Sequence, residues 1–582
     1  MVRYFLWILL AALAFAGCGN PYLTVPFREM PAFFTYASLL LLLLAFLPSK
    51  HQEVKIPRFS NLNITLILFF TWPVMGYFYS VRMDYSFPLL TLYLGAILFI
   101  LAMLLYLQEI KQIEEIFWVL SICAVIHVLF ALFQQTAFSI RQQHQLGMSN
   151  LPAGIFTATS QSLFLHANFF GGYLLFHLPI TLYLFFSENT KNIKIIAAVF
   201  FVLLLIGVGI SGSPGGQIVA MVQILALAGY FFRKRQLAGL KLLGAGALLA
   251  ILFCVAFTQV LYPKNAEGIN LALLERRPWN PEHLISHLVL WQTAWDIFKD
   301  YWITGSGPNT FVLLHPSYLM KTWIPVGLNV TNHNSHAHIL YLQIASDMGI
   351  IGVGLFLACI YLFYSKSIHI FREREHPGGN MILFLGVGFS GFLIHNVLDH
   401  IWNLAVFIYY FALWILLVDF IHGKSMKAPV KRRLIISGLA LGYGTIAVIA
   451  GTCLYHYIQE TQYKLQQSTT IEAIETHIYR ARLYCPKCEE PFLIKAERLI
   501  LQSKKTGNLD FLPLAEDAIN KVDLAYNPEA LLFLAEIRVL QNQLPEARKI
   551  YSRVIRFGRH SDIALRQLDH IKTLMDLASS SE

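Results

Sequence analysis

The chain has 582 residues, 56% of them hydrophobic and only 13% charged. A soluble protein of this length does not carry so much apolar sequence, so composition points to a polytopic, all-α membrane protein. The formal net charge of +10 would suit nucleic acid, but the basic residues are distributed by topology instead.

Apolar runs occur near 3–19, 31–48, 61–80, 87–107, 115–137, 161–186, 193–211, 216–232, 239–262, 337–364, 379–398, 401–421 and 433–458. Each is long enough, or nearly so, for a helix to cross a bilayer core of about 30 Å, which predicts thirteen spans. Lys and Arg gather at Lys50/Lys55/Arg58, Lys191/Lys194, Arg233/Lys234/Arg235/Lys241, Lys366/Arg372/Arg374 and Lys424/Lys427/Lys431/Arg432/Arg433. Each cluster follows an even-numbered run, so all lie on one side, and cytoplasmic loops carry such an excess. The expectation is an N-terminus inside, a C-terminal tail outside and no nucleic-acid partner. The opening twenty residues can also be read as a signal peptide with a lipoprotein-like site before Cys18. Phe15 is a poor residue three places before such a cysteine, and removing the segment breaks the parity, so a first span is preferred.

Three outward segments follow from that parity. Residues 138–160 are polar and include Arg141 and His144. Residues 211–216, SGSPGG, form a tight turn of small residues. Residues 263–336 are too long for a structureless connection, which predicts a fold of their own. Within them Leu284, Leu288, Trp291, Trp295 and Phe298 recur at helical spacing, opposite Gln292, Asp296 and Lys299. That pattern predicts an amphipathic helix in the outer interface, its tryptophans at headgroup depth. Gly305-Ser-Gly307-Pro308-Asn309 then reads as a turn.

From Thr331 to Gly354 a loop carrying His333, Asn334, His336 and His338 runs directly into a long apolar helix. A titratable group at the mouth of a span marks a candidate functional site. Imidazole can also take or give a proton near neutral pH. A zinc reading is not favoured, because His336 and His338 are two apart and no carboxylate or cysteine sits beside them. Cys123, Cys254, Cys359 and Cys453 lie within spans as packing residues, whereas Cys485 and Cys488, in the outward tail, predict a local disulfide. Residues 459–582 are charged and helical in pattern. Leu534, Ala535, Ala547 and Tyr551 fall where a tetratricopeptide-like helix pair places small and aromatic contacts, with Pro528 where the preceding unit would end. Such stacks bind protein partners and carry no chemistry themselves.

The run from 287 to 354 resembles the O-antigen ligase/polymerase superfamily. That family's pattern is R-x-x-x-W, then D-x-P-L-L-G-x-G-x-x-x-F, then H-A-H-N-x-Y-L-x-x-x-x-E-x-G-x-x-G. This chain has His287-Leu-Val-Leu-Trp291, Asp300 through Gly305-Ser-Gly307 to Phe311, then His336-Ala-His338-Ile339-Leu-Tyr341-Leu342, ending in Gly349-Ile-Ile-Gly352. Phe164-Leu-His-Ala-Asn168-Phe-Phe-Gly171 is similar to the family's G-x-F-x-N-x-N-x-x-A segment, and His395-Asn-Val-Leu-Asp399 to its H-S-x-x-D-F segment. Three positions depart from the pattern. Ser213-Pro214-Gly215 stands for an S-R-G turn, His287 for an arginine, and Ile339 for the asparagine after the key histidine.

The resemblance implies metal-independent glycosyl transfer, without a cofactor, from an undecaprenyl-diphosphate carrier to a glycan, lipid or protein acceptor. The setting it implies is the outer face of the inner membrane, with a periplasmic C-terminal domain from residue 459. His338 then matches the general base, and His336 orients it or lines the acceptor site. Asn168 belongs to the substrate-binding set. The family's arginines hold the diphosphate; here Arg276 and Arg277 are the proposed substitutes, with His287, Arg141 and Lys321 as further candidates. Tryptophans 279, 291, 295, 302 and 323 can stack on sugar faces or anchor in the interface. The alternatives are a polysaccharide polymerase, a non-catalytic scaffold that recruits assembly factors, and, less favoured, a transporter.

Overall fold

In the computed structural model the described residues are 1–18, 29–46, 60–143, 161–164, 166–187, 190–261, 281–322, 336–373, 376, 378–402, 404–423, 430–524, 527–556 and 561–579. They are helical, with no strand among them. Among the described residues eleven helices are long and apolar enough to cross a membrane, and two shorter apolar helices, Val2–Phe15 and Met30–Phe46, precede them. Each of the thirteen expected spans therefore coincides with a helix, and the protein is an all-α polytopic membrane protein. The 61–80 run is the least regular: Asn61–Val74 ends just after Pro73 and a short turn, Gly76–Tyr79, follows.

The chain divides into two compact units, the first made of residues 1–71, 92–280 and 354–447. Its inner helices are apolar on every side. Ala167–Ser187 and Ala405–His422 are buried along nearly their whole length, as expected of helices with no polar stripe. Helix Val2–Phe15 packs through Leu6, Leu9, Leu10 and Leu13, and the Cys18 thiol beyond it donates to the Leu163 carbonyl at 3.0 Å. One charged pair is enclosed here. Lys366 pairs with Asp419, whose two oxygens also accept from Ser60 Oγ at 2.6 Å and Asn63 Nδ2 at 2.7 Å.

The second unit comprises residues 72–91, 281–353 and 448–582. Helix Pro281–Asp300 turns Leu290, Ala294 and Ile297 inward, against Phe311, Leu314, Tyr318 and Ala337. Leu288 and Trp295, from the expected apolar face, point outward and are about half exposed. The helix is thus apolar on two faces, and protein packing takes the smaller side chains. The Gly305–Asn309 segment is a turn, as its composition predicts, with φ of 79°, 112° and 62° at Gly305, Gly307 and Asn309. It lies on a break in helix Leu340–Arg372 at Gly349, φ 64°. A Cβ at Gly349 would stand 2.3 Å from the Ile303 carbonyl oxygen, so only glycine fits.

Among the described residues from 471 onward the tail forms six helices: Ile471–Tyr484, Glu490–Thr506, Phe511–Ile519, Pro528–Leu540, Leu544–Arg556 and Ser561–Ser579. Their ends follow local chemistry. Thr470 and Asn527 cap two N-termini through the amides of Ala473 and Ala530, and Gly507 ends Glu490–Thr506 in the left-handed region. Pro528 is the first residue of its helix, where its missing N–H is harmless. Ala535, Ala547 and Tyr551 meet in one core with Leu531, Val554 and Ala564, whereas Leu534 packs against the neighbouring core. Cys485 and Cys488 are disulfide-bonded.

Candidate functional site

In the second unit the loop before helix Leu340–Arg372 places His336 and His338 side by side, ring centroids 4.5 Å apart. From helix Pro281–Asp300, His287 reaches the same point, its ring 4.9 Å from that of His338 and 6.4 Å from Trp291. Three of the expected site residues, forty-nine positions apart at the closest crossing from His287 to His336, therefore share one cluster. All three rings are half-buried. His338 adopts φ 52°, a left-handed conformation that costs a side-chain-bearing residue about 1–2 kcal/mol. Strain of this kind persists where the surroundings over-determine the backbone.

The helix that follows supplies the determinants. Gln343 reaches back so that its Oε1 accepts from the Ala337 amide at 2.8 Å, between the two histidines. Its Nε2 donates to Asp347 Oδ2 at 3.0 Å. The same oxygen accepts from the Asn309 amide at 3.0 Å, and the Asp347 carbonyl accepts from Gly307 N at 3.0 Å. Asp347 is buried. These residues were missing from the expected site. The signal was present, since Asp347 stands at the carboxylate position two before Gly349 in the quoted family pattern.

The first unit holds a separate convergence of segments. Asn168 Nδ2 donates to Asp399 Oδ2 at 2.6 Å, joining the 164–171 and 395–399 segments. The other oxygen of Asp399 accepts from His400 N at 2.7 Å. A Cβ on Gly171 would lie 2.9 Å from Ser213 Cβ, and one on Gly172 would lie 3.2 Å from His395 Cε1. The turn 213–215 thus packs among the other two segments, and Ser213 Oγ caps the following helix through Gly216 N at 3.1 Å. His395 is buried and neither of its ring nitrogens has a hydrogen-bond partner among the described residues.

The remaining candidates are less defined. Arg276 and Arg277 lie outside the described residues, as do His333 and Asn334. Arg141 falls near the end of helix Ile110–Gln143, and Lys321 near the end of helix Phe311–Thr322. A further cation, outside the expected set, is Arg82, buried and held by Asp84 at 2.8 Å and Glu489 at 3.3 Å. Burial opposes its charge, and the two carboxylates more than offset that, holding its pKa above the ordinary guanidinium value.

The fold and this site define a class: a multi-pass helical membrane protein with an imidazole cluster at the entrance to a broken span. Residues 199–357 match the family model described as O-antigen ligase (Wzy_C), a match that supports placing the chain in the O-antigen ligase superfamily. The matched stretch contains His287, His336, His338 and the 213–215 turn, and stops short of Asn168 and Asp399. No curated protein matches the chain. The match supports a membrane glycosyl-transfer or polymerase function at the coarse level.

Proposed function

We propose that the protein transfers a glycan from an undecaprenyl-diphosphate carrier to an acceptor hydroxyl at the outer face of the inner membrane. The observation that carries this reading is the imidazole cluster: His338 in a strained backbone, flanked by His336 and His287, within the stretch that matches the ligase family. His338 takes the proton from the acceptor hydroxyl as the oxygen bonds to the anomeric carbon. The bond from that carbon to the carrier phosphate breaks, and the diphosphate leaves with the electron pair. A well-placed base contributes about 10²–10⁴ in rate. Stabilising the leaving charge is usually the larger contribution.

In this reading the charge is met by His287 in its protonated form and by Arg276 and Arg277 from the 263–336 connection. An unperturbed imidazole is charged only in part at neutral pH, so His287 is a weaker substitute for a guanidinium fork. The reaction itself requires no metal in this scheme. The helices from 471 onward form tetratricopeptide-like pairs on the periplasmic side and bind a protein partner. The topology rests on the alternation of Lys/Arg clusters with spans.

The test uses purified protein in lipid nanodiscs with a polyprenyl-diphosphate glycan and candidate acceptors. His338→Ala is expected to abolish product while leaving the thermal midpoint unchanged. Product undiminished in that variant overturns the reading. Accumulation of single repeat units in cells lacking the protein, in place of finished polymer on its carrier, would assign it as a polymerase instead.

A further inference from the structure

A continuous set of hydrogen bonds runs through the second unit from the C-terminal helices to the histidine turn. It begins where helix Glu490–Thr506 starts. The amides of Glu489 and Glu490 donate to the two oxygens of Asp84, at 3.1 and 3.4 Å, so an aspartate from another part of the chain caps this helix. Tyr457 Oη lies 3.2 Å from Asp84 Oδ1 and 3.0 Å from Glu490 Oε2, its one proton shared between the two carboxylates. Arg82 locks the arrangement through Asp84 and Glu489. The Lys487 ammonium, within the disulfide loop, donates to the Tyr77 carbonyl at 2.8 Å.

The segment 80–86 passes this order onward. Ser86 Oγ donates to the Pro308 carbonyl at 2.7 Å and accepts from Ser80 Oγ at 2.7 Å. Val81 N donates to Ser306 O at 2.9 Å, and Asn309 Nδ2 donates to Tyr85 O at 3.2 Å. A Cβ on Gly307 would stand 2.6 Å from Ser80 Cβ, so the two backbones touch. From Asn309 the bonds continue through Asp347 and Gln343 to the Ala337 amide, between His336 and His338.

We infer that the C-terminal helices set the orientation of the His336–His338 turn through this network, with Asp84, Asn309, Asp347 and Gln343 as positioning residues. A partner that binds the C-terminal helices and shifts the start of Glu490–Thr506 thereby regulates the turn. The parts fit a two-ended device: a polar chain whose links Arg82, Ser86, Gln343 and Asp347 are buried has few alternative partners there, so displacing one member forces its neighbours to move. The catalytic consequence rests on the proposed transfer reaction; the mechanical coupling does not.

Labelling of individual histidines by diethyl pyrocarbonate, followed by mass spectrometry of the full-length protein, reads the turn directly. His369, an exposed imidazole elsewhere in the chain, is the internal reference. Gln343→Ala is expected to raise labelling of His338 relative to His369 by about threefold or more. Asp84→Ala, made at the far end, is expected to raise it in the same direction. The double variant should add little to the larger single effect, as expected for residues in one network. Asp84→Asn, which keeps one acceptor oxygen, serves if the alanine variant does not fold, and should show a smaller rise. An unchanged ratio in the folded Asp84 variant overturns the inference, and so does strict additivity in the double. Where transfer is measurable, Asp84→Ala should lower kcat with KM unchanged. A wild-type protein without transfer activity but with coupled labelling would remove the proposed function and leave this inference standing.

Discussion

The two units treat their charged groups in opposite ways. In the first, Lys366 and Asp419 form a closed set of bonds with Ser60 and Asn63, with the His422 imidazole beside them. In the second, Arg82, Asp84 and Glu489 are links in a series that ends beside strained His338. A closed set fixes where helices lie; a series can transmit a displacement. The difference separates a fixed pair from a connected one within one chain.

Substitutions test that contrast, and the largest effect belongs to the site. His338→Ala should lower glycan transfer by about 10²-fold or more with an unchanged melting temperature, and His338→Gly should melt slightly higher because glycine relieves the positive φ. Loss of stability in both would mean that the histidine is structural. Asp419→Ala should cost about 3–5 kcal/mol by leaving Lys366 buried without its partner. Combining it with Lys366→Met should recover most of that loss, measured by thermal melting in one detergent. No recovery would show that the pair also organises Ser60 and Asn63.

Gly349→Ala should be next, at about 1–3 kcal/mol, since the new methyl group meets the Ile303 carbonyl and the backbone is left-handed. A smaller effect follows from Glu516, which accepts two bonds from Arg538, at 2.8 and 2.5 Å. Those bonds hold its carboxyl below the ordinary glutamate value. A depressed folded value means the contribution is full above an unfolded value of about 4.3 and is lost as pH falls through the folded one. Glu516→Gln should therefore flatten the acid limb of a melting-temperature profile below about pH 4.3, and an identical profile would discount the pair. Arg566→Ala, which breaks an exposed bridge to Asp562, should change the melting temperature by less than the measurement resolves.

The helices were legible because their cause is local. Thirteen apolar runs had to bury their backbone polar groups within themselves, and each coincides with a helix. Caps at Thr470 and Asn527 and the stop at Gly507 were equally local. His336 and His338 could be picked out for the same reason: polar, titratable residues stood at the edge of an apolar run. Periodicity marked one apolar face of helix Pro281–Asp300 and left out the second, Leu290, Ala294 and Ile297, because only packing shows which side chains a neighbour covers.

Sequence alone determined that this chain is a helical membrane protein with a histidine-bearing turn, since hydrophobic run length and local titratable chemistry need no knowledge of distant residues. Tertiary structure decided that His287 joins His338, that Asn168 meets Asp399, and that Gln343 and Asp347 tie the turn to Asn309. Those contacts link residues far apart in the chain, and only packing selects among the many partners that each could have taken.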